Sequence, residues 1–162
     1  MRLPPTAQDL EFMQLAIDLA AEHMRAREGG PFGALIVKGQ EIIARGWNKV
    51  TSANDPTAHA EMTAIRAAAA ALGNFQLRGC VLYSSCEPCP MCLGAAYWAR
   101  LERIVFAATR LDAAAAGFDD AEIYGELARP PFSRKLLMQQ ALPERAIAVL
   151  AEWRELPDKT LY

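Results

Sequence analysis

Between Cys80 and Ala108 the chain runs apolar, helical, apolar: "CVLYSS", then "PMCLGAAYWA", then "RIVFAA". The two outer runs lack the in-and-out alternation of a strand with one wet face. They have to be covered on both sides, and the helix between them makes the crossover. The flanking sequence predicts the partners of such a sheet. "ALIVK" and "EIIARGW", separated by Gly39-Gln40, form an antiparallel hairpin. From Asp9 to Arg27, Phe12, Leu15, Ala16 and Leu19, widened by Ile17, Ala20 and Met24, recur at helical spacing and stop at Gly29-Gly30. "NKVTSANDPT" is a polar loop, and alanine-rich "AHAEMTAIRAAAAALG" is a helix closed by Gly73. Downstream come a short helix near "AEIYGEL" and a final helix over "ERAIAVLAEWREL". "KLLMQQAL" reads as strand or helix, and strand is favoured because it continues the alternation. The expected fold is α/β: a three-layer α/β/α sandwich around a central mixed five-stranded sheet, one domain over residues 1–162.

A chain of 162 residues with 52% hydrophobic composition buries enough apolar surface to need no disulfides. No apolar run reaches the length of a membrane span, and "MRLPPTAQDLEF" has neither the charged start nor the apolar core of a signal peptide. The expected compartment is the reducing cytoplasm, where clustered thiols bind metal or do chemistry. A formal net charge of −2 offers no general attraction to polyanions, so nucleic acid is not the expected partner.

"SSCEPCPMCLGAAYW" packs Cys86, Cys89 and Cys92 together, with no second C-x-x-C to close a zinc ribbon. "TAHAEMTAIR" supplies the other half: His59, and two positions later Glu61. His59, Cys89 and Cys92 make three metal ligands and leave a fourth position open, as in a catalytic zinc site. Pro88 and Pro90 flank Cys89 where strand gives way to helix, and a helix N-terminus favours thiolates. The spacing of Cys89 and Cys92 keeps both sulfurs on one face. Glu61, on a different face from His59, bypasses the metal and reaches the water there as proton carrier. Cys86 also stands three from Cys89 but on the strand side of Pro88. Cys86, Cys80 and His23 are read as structural.

H-A-E followed by P-C-x-x-C is the pattern of zinc nucleobase deaminases. Through "GGPFGALIVK", "NDPTAHAEMTAIR", "SSCEPCPMCLGAAYWAR", "AGFDDAEIY" and Tyr162, the chain resembles the cytidine deaminase superfamily, and within it the bacterial guanine deaminases. That resemblance implies one zinc per chain on His59, Cys89 and Cys92, Glu61 as proton shuttle, and hydrolysis of guanine to xanthine and ammonia. It implies base contacts by Asn48, by the backbone at Ala60 and by Asp120. It also implies a homodimer in which a C-terminal segment, about 144–162, is exchanged so that Tyr162 reaches the other copy's site. Phe32 as a stacking surface and Trp98 as a pocket wall complete the candidate site.

Several of these positions carry an equally simple alternative. Asn48 is also a good turn residue, Asp120 a good N-cap, and Phe32 and Trp98 good core residues. Glu122 and Glu126 read as a solvated helix face. "RPPFSRKLLMQQALP" matches the family less well than the rest. Rival activities on the same metal centre are tRNA adenosine deamination and deamination of guanosine, cytosine or an aminotriazine; a non-catalytic zinc module is the rival of a different class.

Overall fold

Thr6 starts the first helix. Its hydroxyl accepts from the Asp9 N–H at 3.1 Å, and the Asp9 carboxylate accepts from the Thr6 N–H at 2.8 Å, closing a capping box. In the computed structural model, which describes residues 4–161, this helix is α1, Ala7–Arg25. It is followed by β1 (Gly33–Lys38), β2 (Glu41–Trp47), α2 (Val50–Ala53), α3 (Ala60–Leu72), β3 (Cys80–Cys86), α4 (Pro90–Trp98), β4 (Arg103–Ala108), α5 (Arg110–Ala115), α6 (Ala121–Leu127) and α7 (Pro143–Glu155). These fall into two compact units, one through Asp120 and one from Ala121.

The first unit holds a mixed sheet in the order β2-β1-β3-β4. β1 pairs antiparallel with both β2 and β3, and β3 pairs parallel with β4 across the α4 crossover. Alternate residues of β1 serve opposite layers, as strand geometry requires. Ala34 and Ile36 pack with Ala60, Ala64, Ala68 and Leu82 on the α3 side. Leu35 and Val37 pack with Phe12, Met13, Ala16 and Tyr83 on the α1 side. Two glycines let the helices sit this close. A Cβ on Gly33 would lie 2.3 Å from the Ala16 carbonyl oxygen of α1, and one on Gly46 would lie 2.3 Å from the Ala60 carbonyl oxygen of α3.

A second anchor joins α1 to the sheet. Asp9, 2% exposed, accepts from the Tyr83 hydroxyl at 2.6 Å and from Arg103 at 2.6 and 3.1 Å. One carboxylate thereby caps α1 and ties it to β3 and β4.

Two expectations need correction. The sheet has four strands among the described residues, not five. The segment expected to supply the fifth, "KLLMQQAL", is neither strand nor helix. Its first backbone donor, the Lys135 N–H, goes to the Glu126 carboxylate instead of a neighbouring strand, and Leu136 and Leu137 are 80% and 76% exposed. The loop after β2 is also not featureless, because it carries the single-turn helix α2.

In the second unit α6 is tied to the chain that follows it. Lys135 Nζ reaches Glu122 at 2.6 Å and Arg129 reaches Glu126 at 3.1 Å. Glu122, its side chain 66% exposed, sits in a surface ion pair, in line with its reading as part of a solvated face. Glu126 departs from that reading: its side chain is 18% exposed and also accepts from the Lys135 N–H.

Candidate metal centre and active site

Two helix starts face each other. His59 is the N-cap of α3 and Cys89 the N-cap of α4, both in extended backbone and neither using its side chain to cap. Pro90 follows at the first helical position of α4, where its missing N–H costs nothing. Freed from capping, His59 Nδ1 lies 3.6 Å from Cys89 Sγ and 3.6 Å from Cys92 Sγ. Among the described residues, His59, Cys89 and Cys92 are the group whose ligand atoms converge, all within 4.8 Å of one another.

The donor set fits zinc. Tetrahedral zinc with Zn–N near 2.05 Å and Zn–S near 2.3 Å has N···S edges of about 3.6 Å, the separation found on both sides of His59. The electrostatics fit as well. The Cys92 thiol, with the His59 ring, holds the Cys89 thiol down to about 4 despite the opposing effect of burial. With that charge alongside, Cys92 is pushed far up. A divalent cation held by the two sulfurs would let both ionise.

Glu61, in the first turn of α3, is 6% exposed. Its Oε1 accepts from Ser84 Oγ at 3.0 Å, and its Oε2 lies 3.5 Å from Cys92 Sγ. Burial pushes its carboxyl up, opposed by its own backbone N–H and the Ser84 hydroxyl. The residue is held by one oxygen and presents the other to the metal side, an arrangement suited to accepting and releasing a proton.

Asn48 is buried at the end of β2, and its orientation is set. Oδ1 accepts from the Gly30 N–H at 3.1 Å and the Val50 N–H at 3.2 Å, so the side chain has its Nδ2 donor left to offer a ligand. Gly29 is required here, since a Cβ on it would fall 1.8 Å from the Asn48 carbonyl oxygen. Ala60, the first residue of α3, is fully buried. Phe32 packs edge-on against Phe118 with ring centroids 4.9 Å apart. Partial burial, and then the charge at Cys89, push the Asp120 carboxyl up. Trp98 stands at the opposite end of α4 from Cys89, 62% exposed, with the Arg100 guanidinium 6.0 Å from its ring. Tyr162 lies outside the described residues. His23, read as structural, stacks on Trp47 at 3.7 Å and pairs with Glu28 at 2.6 Å.

Sequence reasoning missed Ser84 and Phe118. Ser84 carries no motif, and only its position on β3 opposite Phe106 and Ala34 reveals that it faces inward. Phe118 lay in plain view inside "GFDD".

Residues 6–108 match the family model of the cytidine and deoxycytidylate deaminase zinc-binding region. The chain belongs to that family. As a cytidine and deoxycytidylate deaminase-type protein it is a zinc-dependent aminohydrolase. Guanine deaminase from Bacillus subtilis (strain 168) is 51% identical over 151 residues, 93% of this chain and 97% of that one. The X-ray structure of guanine deaminase from Bacillus subtilis superposes with a TM-score of 0.91, covering 94% of this chain and 97% of that chain. A more distant relative within the deaminase family, the tRNA-specific adenosine deaminase of Aquifex aeolicus (strain VF5), is 38% identical over 144 residues, 88% of this chain and 91% of its own length.

Proposed function

We propose that this chain converts guanine to xanthine and ammonia in purine catabolism or salvage. The observation that carries the proposal is the likeness to the Bacillus subtilis enzyme, 51% identical over 93% of the chain, and so extending beyond residues 6–108 into the part the shared zinc-binding region does not cover.

In this reading His59, Cys89 and Cys92 hold zinc, which when bound supplies a Lewis acid that lowers the pKa of a water at its open position. The remaining steps fall to the chain's own groups. Glu61 Oε2 would accept a proton from the water and give it to a ring nitrogen of guanine as the new C–O bond forms at C2; it would then take the remaining proton from the new C2 hydroxyl and pass it to the departing amine. Ser84 holds the other carboxylate oxygen. The C2–N2 bond breaks, and water plus guanine balance xanthine plus ammonia.

Recognition rests on hydrogen-bond polarity. Asn48 offers its Nδ2 donor, which demands an acceptor on the base; both purines present N7, so discrimination comes from a bond to guanine O6, where adenine carries an amino donor. Asp120 supplies the complementary acceptor for a ring or exocyclic N–H, Phe32 a ring to stack on, and the backbone at Ala60 a close wall. Trp98 ends the nine-residue helix that Cys89 caps, at the far end from the metal-binding group.

The test offers zinc-loaded protein guanine, guanosine, adenine, cytosine and an anticodon-stem RNA, with ammonia recorded for each. Guanine should lead by at least an order of magnitude. Faster release from the RNA would install the tRNA adenosine reading, which the 38% identity to the Aquifex aeolicus enzyme favours and the net charge of −2 opposes. Four free cysteines fit a reducing compartment, which we take to be the cytoplasm. Among the described residues no helix is long and apolar enough to cross a membrane.

A further inference from the structure

Two short segments far apart in sequence hold the two groups assigned to the base, Asn48 and Asp120. The first, residues 29–32, fixes Asn48 from two directions: the Gly30 N–H donates to its Oδ1 at 3.1 Å, and its own N–H donates to the Phe32 carbonyl at 3.0 Å. The second, residues 117–120, leaves α5 through a tight turn. Gly117 has a φ of +93°, its N–H reaches the Ala114 carbonyl at 3.0 Å, and the Phe118 N–H reaches the Ala113 carbonyl at 2.9 Å. These bonds fix where the turn starts, and Asp120 follows two residues on, immediately before α6. The ring contact of Phe118 on Phe32, centroids 4.9 Å apart and planes at 84°, joins the two segments. Phe118 is 45% exposed, a high value for a ring whose role would be to fill core. Its edge-to-face geometry has a directional preference that simple packing lacks.

We propose that Phe118 is a positioning residue for base recognition: its ring, set edge-on against Phe32, clamps residues 117–120 to residues 29–32 and fixes the gap between Asn48 and Asp120. The inference rests on the guanine reading for its substrate. The clamp itself is a property of the free protein. Loss of the ring loosens the Asp120 side of the gap and leaves the zinc ligands and Glu61 where they are, since those ride on α3 and α4.

Zinc-loaded Phe118→Ala should raise the KM for guanine about tenfold, the scale of one aromatic pair, with kcat within twofold and zinc content unchanged. Phe118→Tyr, which keeps the ring, should restore KM to within threefold. In an Asp120→Asn background Phe118→Ala should add less than twofold, because the two act through one contact. In the ligand-free zinc protein, amide exchange at 117–120 and at 30–32 should speed up in Phe118→Ala. Unchanged KM, an undiminished tenfold effect on top of Asp120→Asn, or unchanged exchange overturns the clamp. If Phe118→Ala does not fold, Phe118→Leu, which keeps apolar bulk without the ring, takes its place with the same expectations. Wild-type protein inert toward guanine sinks the guanine reading, and the exchange comparison then decides the clamp alone.

Discussion

Glu61 is a buried carboxylate whose two oxygens have different neighbours, a hydroxyl on one side and a metal-ligand sulfur on the other. Glutamine has the same shape but cannot carry the proton. Glu61→Gln should therefore keep one zinc per chain and lose between about 10² and 10⁴ in kcat, the usual contribution of a placed acid–base. Metal analysis beside an ammonia assay checks both halves, and an active glutamine variant removes Glu61 from the chemistry. Gly46 acts on the same site without touching it. A Cβ there meets backbone only, the Ala60 carbonyl at 2.3 Å and the Ala64 nitrogen at 2.5 Å, so α3 itself has to move. Gly46→Ala should cost about 1–3 kcal/mol as overpacking. It should also weaken zinc binding, because His59 is the residue on which α3 begins. Thermal denaturation with a chelator competition separates these effects, and a variant with lowered Tm but unchanged zinc affinity would unlink α3 position from the metal.

At the level of elements, α1 is held by one carboxylate. The Arg103 guanidinium beside Asp9 keeps its carboxyl well below the usual carboxylate range, with burial opposing and the Tyr83 hydroxyl and Thr6 assisting. Burial, then the Asp9 contact, push the Tyr83 phenol up to about 12. The two shifts act on opposite limbs of the stability curve. Asp9, lowered in the folded state, contributes stability that is full above its ordinary value of 3.8 and fades as pH falls below it. Tyr83, raised in the folded state, contributes stability that is full below 10 and fades as pH climbs toward about 12. Asp9→Asn should cost about 1.5–3 kcal/mol at neutral pH, the range for hydrogen bonds to a charge, and flatten the acid limb of Tm against pH. An acid limb as steep as wild type would assign it to other carboxylates. None of this anchor was legible in the sequence, since nothing local says that residues 9, 83 and 103 meet. The hairpin, α3, β3, α4 and β4 were legible, because their periodicity and their glycine and proline stops act within a few residues. The candidate metal site was legible for a related reason: His59 and Cys89 are both N-caps, and H-A-E and P-C-x-x-C mark helix starts as well as metal-binding residue types. α2 and α5 were missed because helices of four and six residues show no period. For α5 a signal existed, since "TRLD" at Thr109 has the same T-x-x-D capping box as "TAQD" at Thr6. The fifth strand failed because an apolar run states that a segment will be covered, and not by what.

That uncovered chain sets the problem for the molecule as a whole. The unit from Ala121 contains no buried residue in α6 or α7. On α7, Ile147, Leu150 and Trp153 follow one another at three-residue steps and are 62%, 67% and 41% exposed. An isolated helix of this length is marginal in water, and its stability has to come from a covered apolar face. Burying such side chains is worth about 1.5–3 kcal/mol each, so leaving the stripe wet would forfeit several kcal/mol. We propose that a second copy covers it, with residues of about 144–162 exchanged between copies and Tyr162 reaching the partner's site. The expected outcome is a dimeric mass at micromolar concentration by sedimentation. Removing residues 157–162, beyond α7, should keep that mass and lower guanine turnover at least tenfold, because the stripe stays covered while the exchanged tail is gone. Ile147→Asp with Leu150→Asp should shift the mass to that of one chain and lower turnover alongside it. A one-chain mass with full activity in the intact protein, or unchanged kinetics after the truncation, rules the exchange out.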